Sequence, residues 1–332
     1  MIHTRQLGAT GPVVSTLGLG CMGMTDLYGP ASRAESIATI HAALDAGITL
    51  LDTGDFYGMG HNELLIREAL MGRDRERLII SVKFGALRGP DCEWLGYDGR
   101  PAAVRNFLTY SLRRLDTDHI DIYRLSRVDP NVPIEETVGA ISDMVTKGYV
   151  RHIGLSEAGA ETVRRAHATH PISDLQIEYS LFSRGIEKAI LPTTRALGIA
   201  ITAYGVLARG LLSGRWTGEP AGARDIRANH PRFSGENLAH NLALVEGLRA
   251  IAAEKGATVA QLAIAWVASR GEDILPLVGS RRRPQLAEAL GALDVTLTAA
   301  DLARIESVIP SIGAAGDRYP TALMKHLDSE RG

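Results

Sequence analysis

Four side chains at the ends of apolar runs have no obvious use in a purely structural core. Leu50-Leu51 breaks straight into Asp52, with Tyr57 close behind. Leu78-Ile79-Ile80-Ser81-Val82 ends on Lys83, and Ile120–Leu125 is followed by Ser126. If the runs are neighbouring strands of one barrel, the heads of Asp52 and Lys83 converge, and an inward lysine needs a carboxylate partner. Such a pair either closes a core layer or serves a site that handles protons, because strongly perturbed pairs in clefts mark functional positions. No group of His, Cys and carboxylates has metal-ligand spacing, so no metal is expected.

The elements that would position these residues alternate along the chain of 332 residues. A hairpin, Thr4–Leu7 with Val13–Ser15, precedes a first strand at Leu17-Gly18-Leu19. Further strands are predicted at Ile48–Asp52, Leu78–Lys83, Ile120–Leu125, Val150–Leu155, Leu175–Tyr179, Ile199–Tyr204 and Ile274–Val278. Helices between them start at Ser32 (a capping box with Glu35), Asn62, Pro101 and Pro133, with later ones capped by Thr258 and Thr298. Eight strands, each followed by a helix, is the count of a closed (β/α)8 barrel. An open doubly wound sheet alternates in the same way, so periodicity leaves both open. No composition break divides the chain, which predicts a single domain over 1–332, with the hairpin within 1–16, an extra C-terminal helix and a tail at 311–332. Phe84–Arg100 and Gly205–Glu236 are long βα loops, and in a barrel such loops form the face where chemistry is done.

Composition narrows the classes. Lys and Arg total 36 against 38 Asp and Glu, a net charge of −2, so a nucleic-acid or anionic-membrane partner has no electrostatic case. Hydrophobic residues at 45% suffice for a large core. Two cysteines, Cys21 and Cys92, build no disulfide framework. The uncharged run Gln6–Thr25 is too rich in glycine and threonine for a spanning helix or signal peptide. A soluble, cytoplasmic protein is expected.

Gly18-x-Gly20-x-x-Gly23 matches a dinucleotide-binding fingerprint. That motif works through a helix starting within the glycine turn, whereas helical pattern here begins only at Ser32, so the Rossmann reading fails on context.

From Leu17-Gly18-Leu19-Gly20-Cys21-Met22-Gly23 to Gly279-Ser280-Arg281-Arg282, the chain resembles the aldo-keto reductases, within them the bacterial, fungal and plant branch that includes perakine reductase. The specific marks are Asp52…Tyr57-Gly58 and the strand-end Lys83. The resemblance implies a single-domain (β/α)8 TIM barrel that binds NADP(H) without a Rossmann motif and reduces aldehydes or ketones. It makes Tyr57 the general acid. A free phenol, pKa about 10, is a poor donor near neutrality; Lys83 would lower it and Asp52 would hold Lys83 in place.

Where the family usually has histidine, this chain has Ser126, which is shorter and never cationic. Losing such a donor can cost about 3 kcal/mol of transition-state stabilisation, and a bulkier or less reactive ketone is the expected substrate. By the same resemblance Ser156 and Gln176 would hold the nicotinamide carboxamide, Glu157 replaces a usual Asn, and Tyr204 would stack on the ring. Gly23, Met24 and Asp52 would line the cofactor, and Gly205, Leu207, Ala208 and Gly210 would meet the pyrophosphate. Gly279, Ser280 and Arg281, with Gln285 and Glu288, would take the adenosine end; guanidinium groups and a hydroxyl at a helix start suit a 2′-phosphate, favouring NADP over NAD. Tyr28, Phe56 and Trp94 are expected on the substrate side, with Met24 also on a loop facing the pocket mouth. The alternative to an enzyme is an NADPH-binding redox sensor with little turnover.

Overall fold

The computed structural model describes residues 2–25, 27–216, 218, 220 and 225–331, so Met1, Asp26, Gly332 and parts of the 205–236 loop lie outside the described residues. The strands are β1 (Thr4–Gln6), β2 (Val13–Ser15), β3 (Gly18–Gly20), β4 (Leu50–Gly54), β5 (Ile79–Phe84), β6 (Ala86–Arg88), β7 (Trp94–Tyr97), β8 (Ile120–Leu125), β9 (Val150–Ser156), β10 (Ile172–Glu178), β11 (Ala200–Tyr204) and β12 (Ile274–Gly279). The main helices are α1 (Arg33–Asp45), α2 (His61–Ala69), α3 (Pro101–Leu115), α4 (Ile134–Thr146), α5 (Ala160–Thr169), α6 (Ile190–Ala196), α7 (Gly235–Glu254), α8 (Val259–Ala268), α9 (Arg283–Gly291), α10 (Ala299–Val308) and α11 (Thr321–Met324).

Strands β3, β4, β5, β8, β9, β10, β11 and β12 pair in parallel and close, β12 returning to β3. The open-sheet alternative is therefore excluded. Strands buried on both faces explain the near-continuous apolar runs. Leu7 and Val14 of the β1–β2 hairpin pack with Leu50, Ile122, Ala200 and Leu275. That contact closes the barrel floor and leaves the opposite end for loops.

Several local expectations are corrected. The loop at Phe84–Arg100 contains an antiparallel hairpin, β6–β7. Asn62 does not cap α2; Gly60, in a left-handed conformation at φ 91°, takes that position. The buried Asn62 amide instead donates to the Cys21 carbonyl at 2.9 Å, and Thr53 Oγ1 donates to its Oδ1 at 2.6 Å. Ser32 accepts from the Glu35 amide, but the Glu35 carboxylate turns to Arg283, so only half of that capping box forms. The boxes at Thr258 and Thr298 are complete. Gly18 and Gly20 lie in a strand, followed by a short 3-10 turn, Met22–Met24, and by no α-helix within the glycine turn. Among the described residues no helix is long and apolar enough to cross a membrane.

Candidate active site

The upper half of the barrel interior is polar. Lys83 Nζ donates to Asp52 Oδ2 at 2.5 Å, and both side chains are at most 5% exposed. Asp52 Oδ1 accepts from Gln176 Nε2 at 2.8 Å, Ser81 Oγ at 3.1 Å and Arg124 Nη1 at 3.3 Å. Arg124 also donates to Asp174, which takes a bond from Thr202 Oγ1 at 2.5 Å. Two carboxylates and two cations thus form one charge-balanced layer. A Cβ at Gly154 would stand 2.7 Å from Asp174 Oδ1 and 2.9 Å from Arg124 Nε, so glycine is what admits the arginine. Arg124 and Asp174 were missed by sequence reasoning, although a charge inside an apolar strand is the same signal that drew attention to Lys83.

Tyr57 stands above this layer, its ring centroid 5.3 Å from Lys83 Nζ. Three successive left-handed residues, Gly58, Met59 and Gly60, make the tight turn that follows it. Burial pushes the phenol well above its ordinary range, the Asp52 charge adds to this, and Arg127 is the cation that opposes it. Burial outweighs the lowering expected from Lys83, whose ammonium is engaged by Asp52. Burial also pulls Lys83 below its ordinary range, with Asp52 opposing and Arg124 and Arg127 reinforcing the shift.

Ser126 is buried and its Oγ has no hydrogen-bond partner among the described residues. Beside it, Arg127 donates through Nη1 to the Ser126 carbonyl at 2.6 Å and reaches Ser156 Oγ at 3.5 Å. Its Nη2 donates to the Tyr319 hydroxyl at 3.3 Å.

The C-terminal tail belongs to this end of the barrel. Arg318 forms an ion pair with Glu157 (Nη2–Oε2 2.5 Å), a residue at φ 54° in the left-handed region. Glu157 Oε1 also accepts from the Tyr204 hydroxyl at 2.7 Å and the Glu178 amide at 3.0 Å, and Oε2 from Ser329 Oγ at 2.7 Å. Burial works against the Glu157 charge, yet Arg318, Arg127 and the Tyr204 hydroxyl together outweigh it and hold the carboxyl down at about 2. The Tyr204 hydroxyl lies 2.8 Å from that of Tyr319. Glu178, the second buried carboxylate here, pairs with Arg209 at 3.2 Å and with Arg232 and Arg318 at 3.5 Å.

The aldo/keto reductase family model matches residues 16–310. A probable aldo-keto reductase from Glycine max is 44% identical over 325 residues, 97% of this chain and 93% of that one. The chain belongs to the aldo-keto reductase family. A glycerol dehydrogenase structure from Gluconobacter oxydans superposes with a TM-score of 0.83 at 27% identity, covering 98% of this chain and 96% of that one. The holo form of an aldo-keto reductase from Bacillus halodurans gives 0.78 at 27% identity, covering 94% and 97%.

This aldo-keto reductase is thus an oxidoreductase of carbonyl compounds with a (β/α)8 barrel. The segments expected to line its cofactor all reach one end of that barrel. Gly205, Ala208, Arg209 and Gly210 have positive φ, and the Ala208 and Gly210 amides donate within the segment to the Gly205 and Leu207 carbonyls at 2.7 and 2.8 Å. Ser280 is buried with an unpartnered Oγ, and Arg281 donates to the carbonyls of Tyr28, Gly29 and Pro30 at 3.0–3.3 Å. Arg281 and Arg282 pair with no carboxylate among the described residues, whereas Arg283 pairs with Glu35 at 3.0 Å. Gln285 Oε1 accepts from the Arg281 amide, and Glu288 pairs with Arg215 at 2.8 Å. A Cβ on Gly23 would meet the Tyr28 ring at 3.5 Å. Met24, in the turn after β3, has its side chain buried in the main core. Gln176 donates to Asp52 where a carboxamide contact was expected. Phe56 packs edge-on against Tyr57 (4.8 Å) and Trp94 (5.7 Å), so those three rings form one apolar wall.

Proposed function

We propose that the chain is an NADP(H)-dependent reductase of aldehydes or ketones, with Tyr57 as general acid. The observation that carries this is the buried Asp52–Lys83 ion pair packed beneath the Tyr57 ring. The cofactor, when bound, supplies hydride to the carbonyl carbon. Ser156 and Gln176 would hold its carboxamide, Tyr204 its ring, and Gly205–Gly210 its pyrophosphate; Gly279, Ser280 and Arg281 would hold the adenosine phosphate. The Ser280 hydroxyl, without a partner among the described residues, and Arg281 and Arg282, without a carboxylate among them, are what fit the group.

The protein's own work is proton transfer and charge stabilisation. Tyr57, protonated across the neutral range, gives its proton to the carbonyl oxygen as negative charge develops there. Lys83 and Arg127 stabilise the phenolate left behind, and Asp52 keeps Lys83 in place. The unpartnered Ser126 hydroxyl is the donor available in place of the usual histidine. Phe56, Trp94 and Tyr28 give the substrate an apolar wall.

Oxidation of NADPH by carbonyl compounds, abolished in Tyr57→Phe with cofactor binding retained, supports this reading. Tight NADPH binding with no turnover of any carbonyl supports instead a redox sensor, which the missing histidine and the tail bonded to Tyr204 favour.

A further inference from the structure

Four guanidinium groups converge at the barrel mouth, from Arg127, Arg209, Arg232 and Arg318, against two buried carboxylates, Glu157 and Glu178. Three of them have carboxylates: Arg209 and Arg232 on Glu178, and Arg318 on Glu157, Glu178 and Glu330. Arg127 has none within ion-pair reach among the described residues. Its bonds go to neutral acceptors, the Ser126 carbonyl, Ser156 Oγ and the Tyr319 hydroxyl. Arg127 is part-exposed and feels the Glu157 charge only from beyond ion-pair distance, so the close counter-ion place at its guanidinium is open to a ligand carboxylate.

The surroundings say what that ligand carries. Arg127 follows directly on Ser126, a residue 1% exposed whose hydroxyl has no partner among the described residues. The same arginine reaches Ser156 Oγ and the Tyr319 hydroxyl, which in turn bonds Tyr204, so it lies among the side chains read as holding the nicotinamide end of the cofactor. Arg209, by contrast, lies on the segment assigned to the pyrophosphate, and Arg281 beyond it, so the cofactor's phosphates already have their cations. A planar guanidinium fork matches a carboxylate in two parallel hydrogen bonds.

We infer that Arg127 anchors a substrate carboxylate, and that the carbonyl compounds preferred here are short oxo acids, bound with the carboxylate on Arg127 and the carbonyl oxygen toward Ser126 and Tyr57. This rests on the reductase reading above. In each turnover the carbonyl carbon gains the hydride as the C=O π bond opens, the oxygen gains the Tyr57 proton, a hydroxy acid leaves, one NADPH becomes NADP+, and the Tyr57 phenolate is reprotonated by a proton from solvent. The tail participates, because a carboxylate on Arg127 takes over the place of the Tyr319 hydroxyl.

The test pairs each acid with its neutral methyl ester: pyruvate with methyl pyruvate, and 4-oxobutanoate with its methyl ester. The wild type should favour at least one acid over its ester by about tenfold or more in kcat/KM, the worth of a charge-assisted contact. In Arg127→Gln that ratio should collapse toward one, with Arg127→Lys intermediate. Binding of unreactive oxamate, compared with neutral oxamide, should weaken in step by calorimetry. An ester preferred by the wild type, or acid and ester falling equally in Arg127→Gln, overturns the inference while leaving the reductase standing. Oxamate binding that depends on Arg127, with no carbonyl reduced at all, sinks the reductase reading and leaves the anion site. Should Arg127→Gln fail to fold, the wild-type acid-to-ester ratio and the oxamate-to-oxamide comparison still decide.

Discussion

Glu157 and Arg318, 161 positions apart in the chain, form a buried double contact that ties the C-terminal tail to the end of β9. Ser329 reinforces it, its amide donating to the Glu157 carbonyl at 3.1 Å and its hydroxyl to the carboxylate. Asp328 adds a bond to the Gly159 amide at 2.8 Å. The tail is a structural member of the barrel mouth.

Replacing Glu157 by Gln leaves Arg318 with Glu178 and Glu330 only, so the loss should sit near the low end for a broken buried pair, about 3 kcal/mol. The Glu157 carboxyl lies at about 2 in the folded chain against 4.5 for the free group. Its stabilisation is therefore complete above about pH 4.5 and is lost as pH falls toward 2. Denaturant melts across this range should show a shallower acid slope in Glu157→Gln than in the wild type.

Ser126→Ala removes a buried hydroxyl that has no partner among the described residues. Stability should hold or rise by about 1 kcal/mol, since an unsatisfied group is removed. Turnover should nevertheless fall, by about a hundredfold if the hydroxyl donates to the reacting oxygen. Thermal melts and kcat/KM on the same preparation check the opposite signs.

Arg281→Ala should weaken NADPH binding by about ten- to a hundredfold and leave NADH nearly unaffected, because only the former carries the extra phosphate. Fluorescence titration with both cofactors checks this; equal losses would place the phosphate elsewhere.

The chain's charge breaks made much of the site legible. Asp52 and Lys83 stand out because apolar strands end on them, and the barrel brings them to 2.5 Å. Arg124 gave the same signal from inside β8, but its partner Asp174 is fifty positions away and only closure of the barrel joins them. Glu157 was visible as a departure from the family pattern, yet nothing local says that Arg318 answers it. The β6–β7 hairpin was missed because its strands are short and partly exposed, with Trp94 and Leu95 on the surface, so no core imposes alternation. Asn62 was misread because a capping residue and a buried amide bridging two loops look alike in sequence.

The direction of reaction should carry a pH signature. Burial keeps the Tyr57 phenol above its ordinary pKa of 10.0, so reduction keeps its acid throughout the neutral range. Alcohol oxidation needs the phenolate and should climb with pH up to and past 10. Initial rates in both directions between pH 6 and about 10.5 test this, and an oxidation rate that levels near neutrality would identify another base.

The central claim is that Tyr57 donates the proton, and its most direct test is Tyr57→Phe, which removes one oxygen and keeps the ring against Phe56. NADPH-dependent carbonyl reduction should fall by about 10² to 10⁴-fold while NADPH titrates with unchanged affinity. Retention of wild-type turnover in Tyr57→Phe would contradict the account and move the acid to another group at the mouth.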